Sequence, residues 1–174
     1  SAPGRGIARL FLRRFGIEAS YFDPAAHADD LAEQFRPETK AVFLESPGSL
    51  TFEVSDVPAI AASAHEKGIA VILDNTWATP YFFDAFKHGV DLSVQAATKY
   101  LGGHADANLG TVTANAAYKD RLAATHGDLG LTANGDDIGS LVIFAHQGRD
   151  PGGWHDGIRI GACNDVAVGC REAS

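Results

Sequence analysis

The first hundred residues contain three strand-sized segments, two of them largely apolar and one in which polar and apolar residues alternate. They cover residues 40–44, 69–73 and 91–95, and each is predicted to form a β-strand. The run from 69 to 73 is almost wholly apolar, which is typical of a parallel strand covered on both faces. Strands separated by helical segments favour right-handed βαβ crossovers. The pattern therefore predicts an α/β fold with a mainly parallel sheet flanked by helices.

Helical periodicity fills the segments between these runs. The first predicted helix covers residues 5–16. The second carries Asp29 and Asp30 in its first turn and ends before Pro37. The third is capped by Ser55 or Asp56 and closed by Gly68, and a short fourth helix from 82 to 88 follows a loop around Pro80. Residues 17–22 are predicted to form a short extra strand. Both periodicities are lost from about residue 139, so residues 1–138 are expected to form part of a large domain and 139–174 a non-matching tail that is out-of-frame or irregular.

Composition narrows the class of protein. A net charge of -8 excludes a broad nucleic-acid surface, which needs a basic face. A content of 45% hydrophobic and 21% charged residues is enough for a globular core. No apolar stretch approaches the roughly 20 residues that cross a bilayer, and no signal-peptide pattern is present at Ser1. We therefore expect a cytoplasmic protein that does not bind membranes, with Cys163 and Cys170 as incidental thiols.

Polar clusters follow each predicted strand. They are Ser46–Ser49, Asp74–Thr76 and Thr98–Lys99. In parallel sheets, ligands bind beyond the carboxyl ends of the strands. The three clusters are therefore expected to converge on one ligand-binding edge.

Lys99 and Asp74 are the main candidates for chemistry. A lysine at a strand end of a covered domain is expected to be partly desolvated, which frees its amine to form a Schiff base. Asp74 follows an apolar strand and is expected to face the cleft. The alternatives are a solvent-exposed lysine and an aspartate that only forms a turn. If the two lie close together, the carboxylate could keep a pyridine nitrogen protonated while the lysine holds an aldehyde cofactor.

A metal site has little support. His104 and Asp106 could supply two ligands, but no third ligand is nearby in the sequence. No glycine-rich nucleotide-binding motif is present either. We therefore predict that no metal is bound.

The segment 91–104, which reads DLSVQAATKYLGGH, resembles the signature of the cysteine/methionine-metabolism family of pyridoxal-phosphate enzymes. The segments 45–49 (ESPGS) and 74–78 (DNTWA) resemble two further motifs of that family, in the same order and spacing. The similarity extends from about Gly4 to Asp137. The chain is most similar to members that act at Cβ of their substrate.

The resemblance implies a role for four residues. Lys99 would bind pyridoxal 5'-phosphate covalently, Asp74 would pair with the pyridinium nitrogen, and Thr98 would bind the phosphate. Ser49 would lie near a cofactor oxygen, where relatives that act at Cγ often have Asn. Two positions depart from the signature, since Ala96 replaces a frequent hydroxyl residue and Ala105 replaces a small polar residue or Gly.

The resemblance also implies a fold and a reaction. The fold is the large domain of the aspartate-aminotransferase type, called PLP fold type I, usually in a homotetramer. The reaction is β-elimination of the amino acid cystathionine to homocysteine, pyruvate and ammonia. Two alternatives stay open at this point. The chain could derive from a relative that acts at Cγ, or it could be a truncated remnant without activity, because the family's phosphate loop and small domain have no counterpart in these 174 residues.

Overall fold

The computed structural model describes residues 12–49, 52–103 and 108–130. Its α-helices are α1 (Ala28–Gln34), α2 (Val57–Glu66), α3 (Thr79–Phe82) and α4 (Lys119–Leu129), and its strands are β1 (Ala41–Glu45), β2 (Ala70–Asp74), β3 (Leu92–Ala96) and β4 (Gly110–Ala114). Two 3-10 turns, Leu12–Phe15 and Ala85–His88, complete the described elements.

The four strands form one sheet in the order β1-β2-β3-β4. Strands β1, β2 and β3 run parallel, and β4 returns antiparallel along β3. The helix α2 connects β1 to β2 as a crossover, as the alternating pattern predicted. The expected α/β fold with a mainly parallel sheet is confirmed.

The core lies on one face of the sheet. Val42, Leu44, Val71 and Leu73 point from β1 and β2 into this core. They pack against the apolar face of α2 and against α1, which contribute the buried residues Val57, Ile60, Ala61, Ala64 and Leu31. This burial supplies most of the stability, since apolar surface removed from water contributes about 25 cal/mol per Å².

The opposite face of the sheet is less covered than expected. Phe43 is 52% exposed, and Ile72 and Val94 are only half-buried. The prediction that β2 is covered on both faces is therefore wrong for the described residues. The helices that the structure describes against this part of the sheet pack on the face that carries Val71 and Leu73.

Local sequence signals place several helix ends correctly. Asp56 caps α2, because its Oδ1 accepts a hydrogen bond from the amide of Ala59 at 3.1 Å. Gly68 follows the helix with φ +67°, a backbone conformation that residues other than Gly rarely adopt. The helix α1 begins at Ala28 and carries Asp29 and Asp30 in its first turn, as predicted.

Three local predictions need correction. Residues 17–22 form no strand, since Ile17 and Tyr21 are about half exposed and no described strand pairs with the segment, although Phe22 at its end packs against the core. Pro80 does not lie in a loop but in the first turn of α3, where its missing N–H costs nothing. The predicted helix from 82 to 88 is a 3-10 turn from 85 onward. The first part of the predicted helix 5–16 and the tail 139–174 lie outside the described residues.

Asp91 ties the amino end of β3 to its neighbours. Its side chain is only 7% exposed, and its Oδ2 accepts the Val71 amide at 2.8 Å and lies 3.0 Å from His65 Nε2. Its Oδ1 accepts the side-chain amide of Asn115 at 2.8 Å. A buried carboxylate is stable only when it is paired in this way. Asp91 therefore joins β2, β3, α2 and the end of β4.

Replacement of Asp91 by Ala should lower the free energy of unfolding by about 2–4 kcal/mol, because it leaves the Val71 amide and the Asn115 side chain without an acceptor. Urea unfolding measures this. Asp56→Ala is the matched control, since it removes one exposed helix cap and should cost only about 1 kcal/mol. Equal losses in the two variants would contradict the structural role of Asp91.

Candidate active site

The carboxyl ends of the three parallel strands meet at one edge of the sheet. The strands end at Glu45, Asp74 and Ala96. The register pairs Glu45 with Asp74 and Asp74 with Val94, so these strand ends lie side by side. The clusters that follow the strands are thereby brought to a common edge.

The carboxylate of Asp74 is held by the residue two positions further on. Its Oδ1 accepts the Thr76 amide at 3.0 Å and the Thr76 hydroxyl at 2.6 Å. Both hydrogen bonds fall on the same oxygen. Within the described residues, Oδ2 of Asp74 accepts no hydrogen bond and stays available to a ligand. Asp74 therefore forms a turn, as the alternative interpretation expected, and also keeps one carboxylate oxygen free.

Thr76 is a site residue that the motif analysis did not single out. It is 4% exposed, and its Oγ1 accepts the amide of Ala96 at 2.8 Å while its proton goes to Asp74. The only sequence signal for Thr76 was its place as a polar residue shortly after a buried strand that ends in an acid. The hydrogen bonds themselves depend on how β2 and β3 pair.

Lys99 lies in the turn that follows β3. Its amide donates to the Ala96 carbonyl at 3.0 Å, and its own carbonyl accepts from Gly103 at 2.7 Å. Gly103 has φ +69°, which lets the chain turn back at this point. The side chain lines a pocket of about 250 Å³ with Thr76, Trp77 and Tyr100. Lys99 and the residue that holds Asp74 therefore share one pocket.

The expected desolvation of Lys99 is absent from this structure. Lys99 is exposed. The ammonium forms no hydrogen bond or ion pair with any residue in the described ranges. The amine is therefore accessible to a carbonyl compound, although burial does not activate it here.

Thr98 is bonded to the loop that leads into β4. Its hydroxyl accepts the Leu109 amide at 3.0 Å and donates to the Leu109 carbonyl at 3.3 Å, and its own amide donates to the same carbonyl at 3.1 Å. The proton of the Thr98 hydroxyl is thus donated to the Leu109 carbonyl. At 3.3 Å, this bond is weaker than the bond that the hydroxyl accepts from the Leu109 amide.

Ser49 lies at the end of the loop after β1. Its amide donates to Glu45 Oε1 at 3.0 Å, and its hydroxyl donates to the same oxygen. The Ser49 proton is used within the loop, and its oxygen keeps its capacity to accept.

Aromatic side chains border the Lys99 pocket. Trp77 contacts Phe52 edge to face, with ring centroids 5.3 Å apart. Tyr100 lines the same pocket and is 52% exposed. Such rings offer flat apolar surface to a planar ligand. Sequence analysis missed this role, because isolated aromatic residues in loops carry no periodic signal.

Asn75 fixes the start of the loop that carries Trp77. It is fully buried, its amide donates to the Val94 carbonyl at 2.8 Å, and its side-chain amide donates to the Phe83 carbonyl at 3.1 Å. These bonds hold the residues between Asp74 and Phe83 against β3.

This edge combines an accessible lysine amine, a carboxylate with one free oxygen, hydroxyl groups and aromatic rings. In open α/β sheets, ligands bind at this edge, beyond the carboxyl ends of the strands. The chain belongs to the family of Cys/Met metabolism PLP-dependent enzymes, whose sequence model matches residues 5–142. The described sheet and helices are part of a PLP fold type I domain. The cofactor of this family is pyridoxal 5'-phosphate.

Individual relatives are similar over more than half of this chain. Cystathionine beta-lyase of Escherichia coli is 45% identical over 122 residues, which is 69% of this chain and 31% of that protein. Cystathionine gamma-lyase of Bacillus subtilis is 38% identical over 95 residues, or 55% of this chain and 25% of that protein. A crystal structure of cystathionine gamma-lyase from Lactobacillus plantarum, complexed with L-serine, superposes with a TM-score of 0.56 and 33% identity, covering 62% of this chain and 28% of that one.

The chain spans about a third of the length of the curated relatives it matches. Within the ranges that the structure describes, no helix is long and apolar enough to cross a membrane. His104 and Asp106, the weak metal candidates, lie outside those ranges.

Replacement of Thr98 by Val should loosen the connection to β4, because the Leu109 amide loses its acceptor. We expect about 1 kcal/mol less stability and faster hydrogen exchange at Leu109, measured by NMR. Thr98→Ser keeps the hydroxyl and serves as the control. Exchange at Leu109 that is equally slow in both variants would contradict the bond.

Proposed function

We propose that this chain is the cofactor-lysine part of a pyridoxal-phosphate-dependent carbon–sulfur lyase that cleaves cystathionine by β-elimination. The observation that carries the proposal is that Lys99 and Thr76 line one pocket while Thr76 holds the carboxylate of Asp74. The family membership gives the cofactor, and the similarity to cystathionine beta-lyase supports the reaction. The substrate would be an amino acid, bound as a free small molecule.

Lys99 would hold the cofactor and then move a proton. Its amine has no competing ion pair among the described residues and is exposed to the pocket. An amine attacks an aldehyde only in its unprotonated form. After the substrate amine displaces it, the freed Lys99 Nζ would accept the proton from the substrate Cα and return a proton later in the reaction.

Asp74 would bind the protonated ring nitrogen through Oδ2. Its other oxygen, Oδ1, is already bound by two donors from Thr76, so the free oxygen has a fixed direction. When bound, pyridoxal phosphate supplies an electron sink, and a protonated ring nitrogen is a large part of it. A carboxylate beside that nitrogen stabilises the protonated form.

Thr98 and Ser49 would complete the binding of the cofactor. To donate to a phosphate, the Thr98 hydroxyl has to give up its 3.3 Å bond to the Leu109 carbonyl, while it can keep the bond from the Leu109 amide. Ser49 would offer its oxygen as an acceptor near the cofactor, because its proton is used on Glu45. Trp77 and Tyr100 would limit the access of water to the ring.

Elimination at Cγ is the second candidate. The similarity to the gamma-lyases of Bacillus subtilis and Lactobacillus plantarum supports it. The presence of Ser49, rather than the Asn frequent in such relatives, favours the reaction at Cβ. The two reactions give different products, so they can be separated directly.

The whole enzyme would contain more than these residues. We propose that residues 1–138 belong to its large domain, that 139–174 do not continue it, and that the full-length protein is a cytoplasmic homotetramer. The exposure of Lys99 and the half-covered sheet agree with a site that needs further chain to close it. A remnant without activity remains the alternative for this chain in isolation.

Lys99 should be labelled preferentially when the chain is incubated with pyridoxal phosphate and the adduct is trapped with borohydride. Peptide mass spectrometry then compares Lys99 with Lys40, Lys67, Lys87 and Lys119, which are the other lysines of the chain. Trapping detects even weak binding, because reduction makes the adduct permanent. We expect about a tenfold preference for Lys99, which corresponds to about 1.4 kcal/mol.

Asp74→Ala should abolish most of this preference, whereas Asp56→Ala, which removes a distant carboxylate, should not change it. Equal labelling of all five lysines in the unmodified chain would refute the proposed cofactor site.

The products from cystathionine distinguish the proposed reactions. Cleavage at Cβ releases pyruvate, homocysteine and ammonia, whereas cleavage at Cγ releases cysteine, ammonia and a four-carbon oxo acid. We expect pyruvate from the full-length enzyme and little or none from these 174 residues, because Lys99 is not sequestered from water here. Lys99→Ala should remove all activity. The four-carbon oxo acid as the main product would favour the Cγ reaction, and robust pyruvate release by the isolated chain would contradict the remnant alternative.

A further inference from the structure

We infer that Thr76 is a positioning residue that sets the Asp74 carboxylate relative to the turn that carries Lys99. The inference rests on the proposed function of Asp74 and Lys99 and adds a residue to it. Thr76 does not need to touch the reacting atoms, because it acts through Asp74.

Two hydrogen bonds fix the orientation of the Asp74 carboxylate. The Thr76 amide and hydroxyl both donate to Oδ1, at 3.0 Å and 2.6 Å. Thr76 is 4% exposed, so water does not compete effectively for its hydroxyl. Rotation of the carboxylate would break both bonds. Oδ2 is therefore the oxygen that stays free for a ring nitrogen.

The same hydroxyl joins Asp74 to the neighbouring strand. The Asn75 amide donates to the Val94 carbonyl at 2.8 Å, which continues the pairing of β2 with β3. The next amide on β3 that faces β2, that of Ala96, donates to a side chain, Thr76 Oγ1, at 2.8 Å. The threonine side chain thus replaces a main-chain carbonyl at the end of the ladder.

The connection continues to Lys99. The Lys99 amide donates to the carbonyl of Ala96 at 3.0 Å. Ala96 is therefore bound on one side to Thr76 and on the other to the start of the lysine turn. A short series of hydrogen bonds leads from the Asp74 carboxylate through Thr76 and Ala96 to Lys99.

Only a hydroxyl residue can make both contacts. The Thr76 Oγ1 donates its one proton to a carboxylate and accepts from an amide with a lone pair. Val has the same shape but can do neither. Ser can do both, although Thr is stiffer about χ1 and holds the hydroxyl in place at lower entropic cost.

The test compares Thr76→Val with Thr76→Ser in the trapping experiment with pyridoxal phosphate and borohydride. Thr76→Val should reduce the preference for Lys99 about tenfold, and Thr76→Ser should retain it within about threefold. Thr113→Val is the matched control, since Thr113 lies in β4 opposite Ser93, away from the carboxyl edge, and should leave the preference unchanged.

A double variant separates positioning from general destabilisation. If Thr76 acts through Asp74, Thr76→Val should lower the absolute yield of the trapped Lys99 adduct in the Asp74→Ala background by less than twofold, although it lowers that yield about tenfold when Asp74 is present. A tenfold fall of the yield in both backgrounds would overturn the inference, because the loss would not depend on Asp74. An unchanged preference in Thr76→Val alone would overturn it as well, while leaving the proposed function intact.

Hydrogen exchange of the chain without cofactor gives an independent readout. The Ala96 amide should exchange about tenfold faster in Thr76→Val than in Thr76→Ser, and the Val71 amide, bound to Asp91, should not change. If Thr76→Val does not fold, Thr76→Cys replaces it, because a thiol is a weak donor of similar size. No preference for Lys99 in the unmodified chain would overturn the proposed function, and this inference with it.

Discussion

The parallel pairing of β2 with β3 is the constraint on which the candidate site depends. Asp74 ends β2, and Lys99 follows the end of β3 by three residues. The register of these strands, which pairs Asp74 with Val94, therefore sets how far the acid lies from the lysine turn. Because the side-chain period of a strand is two, a slip by one residue would turn Asp74 to the other face. The buried contacts of Val71 and Leu73 with α2 resist such a slip.

The two ends of these strands use acids in different ways. At the amino end of β3, Asp91 is buried and both of its oxygens are occupied, by Val71, His65 and Asn115. Its hydrogen-bonding capacity is used by the fold. At the carboxyl edge, Asp74 is only partly buried, and one of its oxygens is held while the other is available. The difference in satisfied acceptors distinguishes a structural acid from one that can bind a ligand.

Three hydroxyl groups at the carboxyl edge are engaged with the protein. Thr76 binds Asp74 and Ala96, Thr98 binds Leu109, and Ser49 binds Glu45. These bonds orient the loops before any ligand arrives, which lowers the entropy lost on binding. The bonds that a phosphate would have to displace are the weaker ones, such as the 3.3 Å contact of Thr98. The edge is thus largely ordered, while the amine of Lys99 stays accessible.

The sequence alone determined the class of fold, the three parallel strands, the helices α1 and α2, and the family, because apolar periodicity and motif order are local properties of the chain. It did not predict β4, although the alternating segment 110–114 has β-branched residues suited to a strand. It wrongly predicted a strand at 17–22, since nothing in a local pattern tells whether a partner strand is present. Only the tertiary structure decided that Thr76 bridges Asp74 and Ala96, that Lys99 is exposed, and that one face of the sheet is half-covered. Each of these features depends on residues that are distant in sequence and meet only when the strands pair.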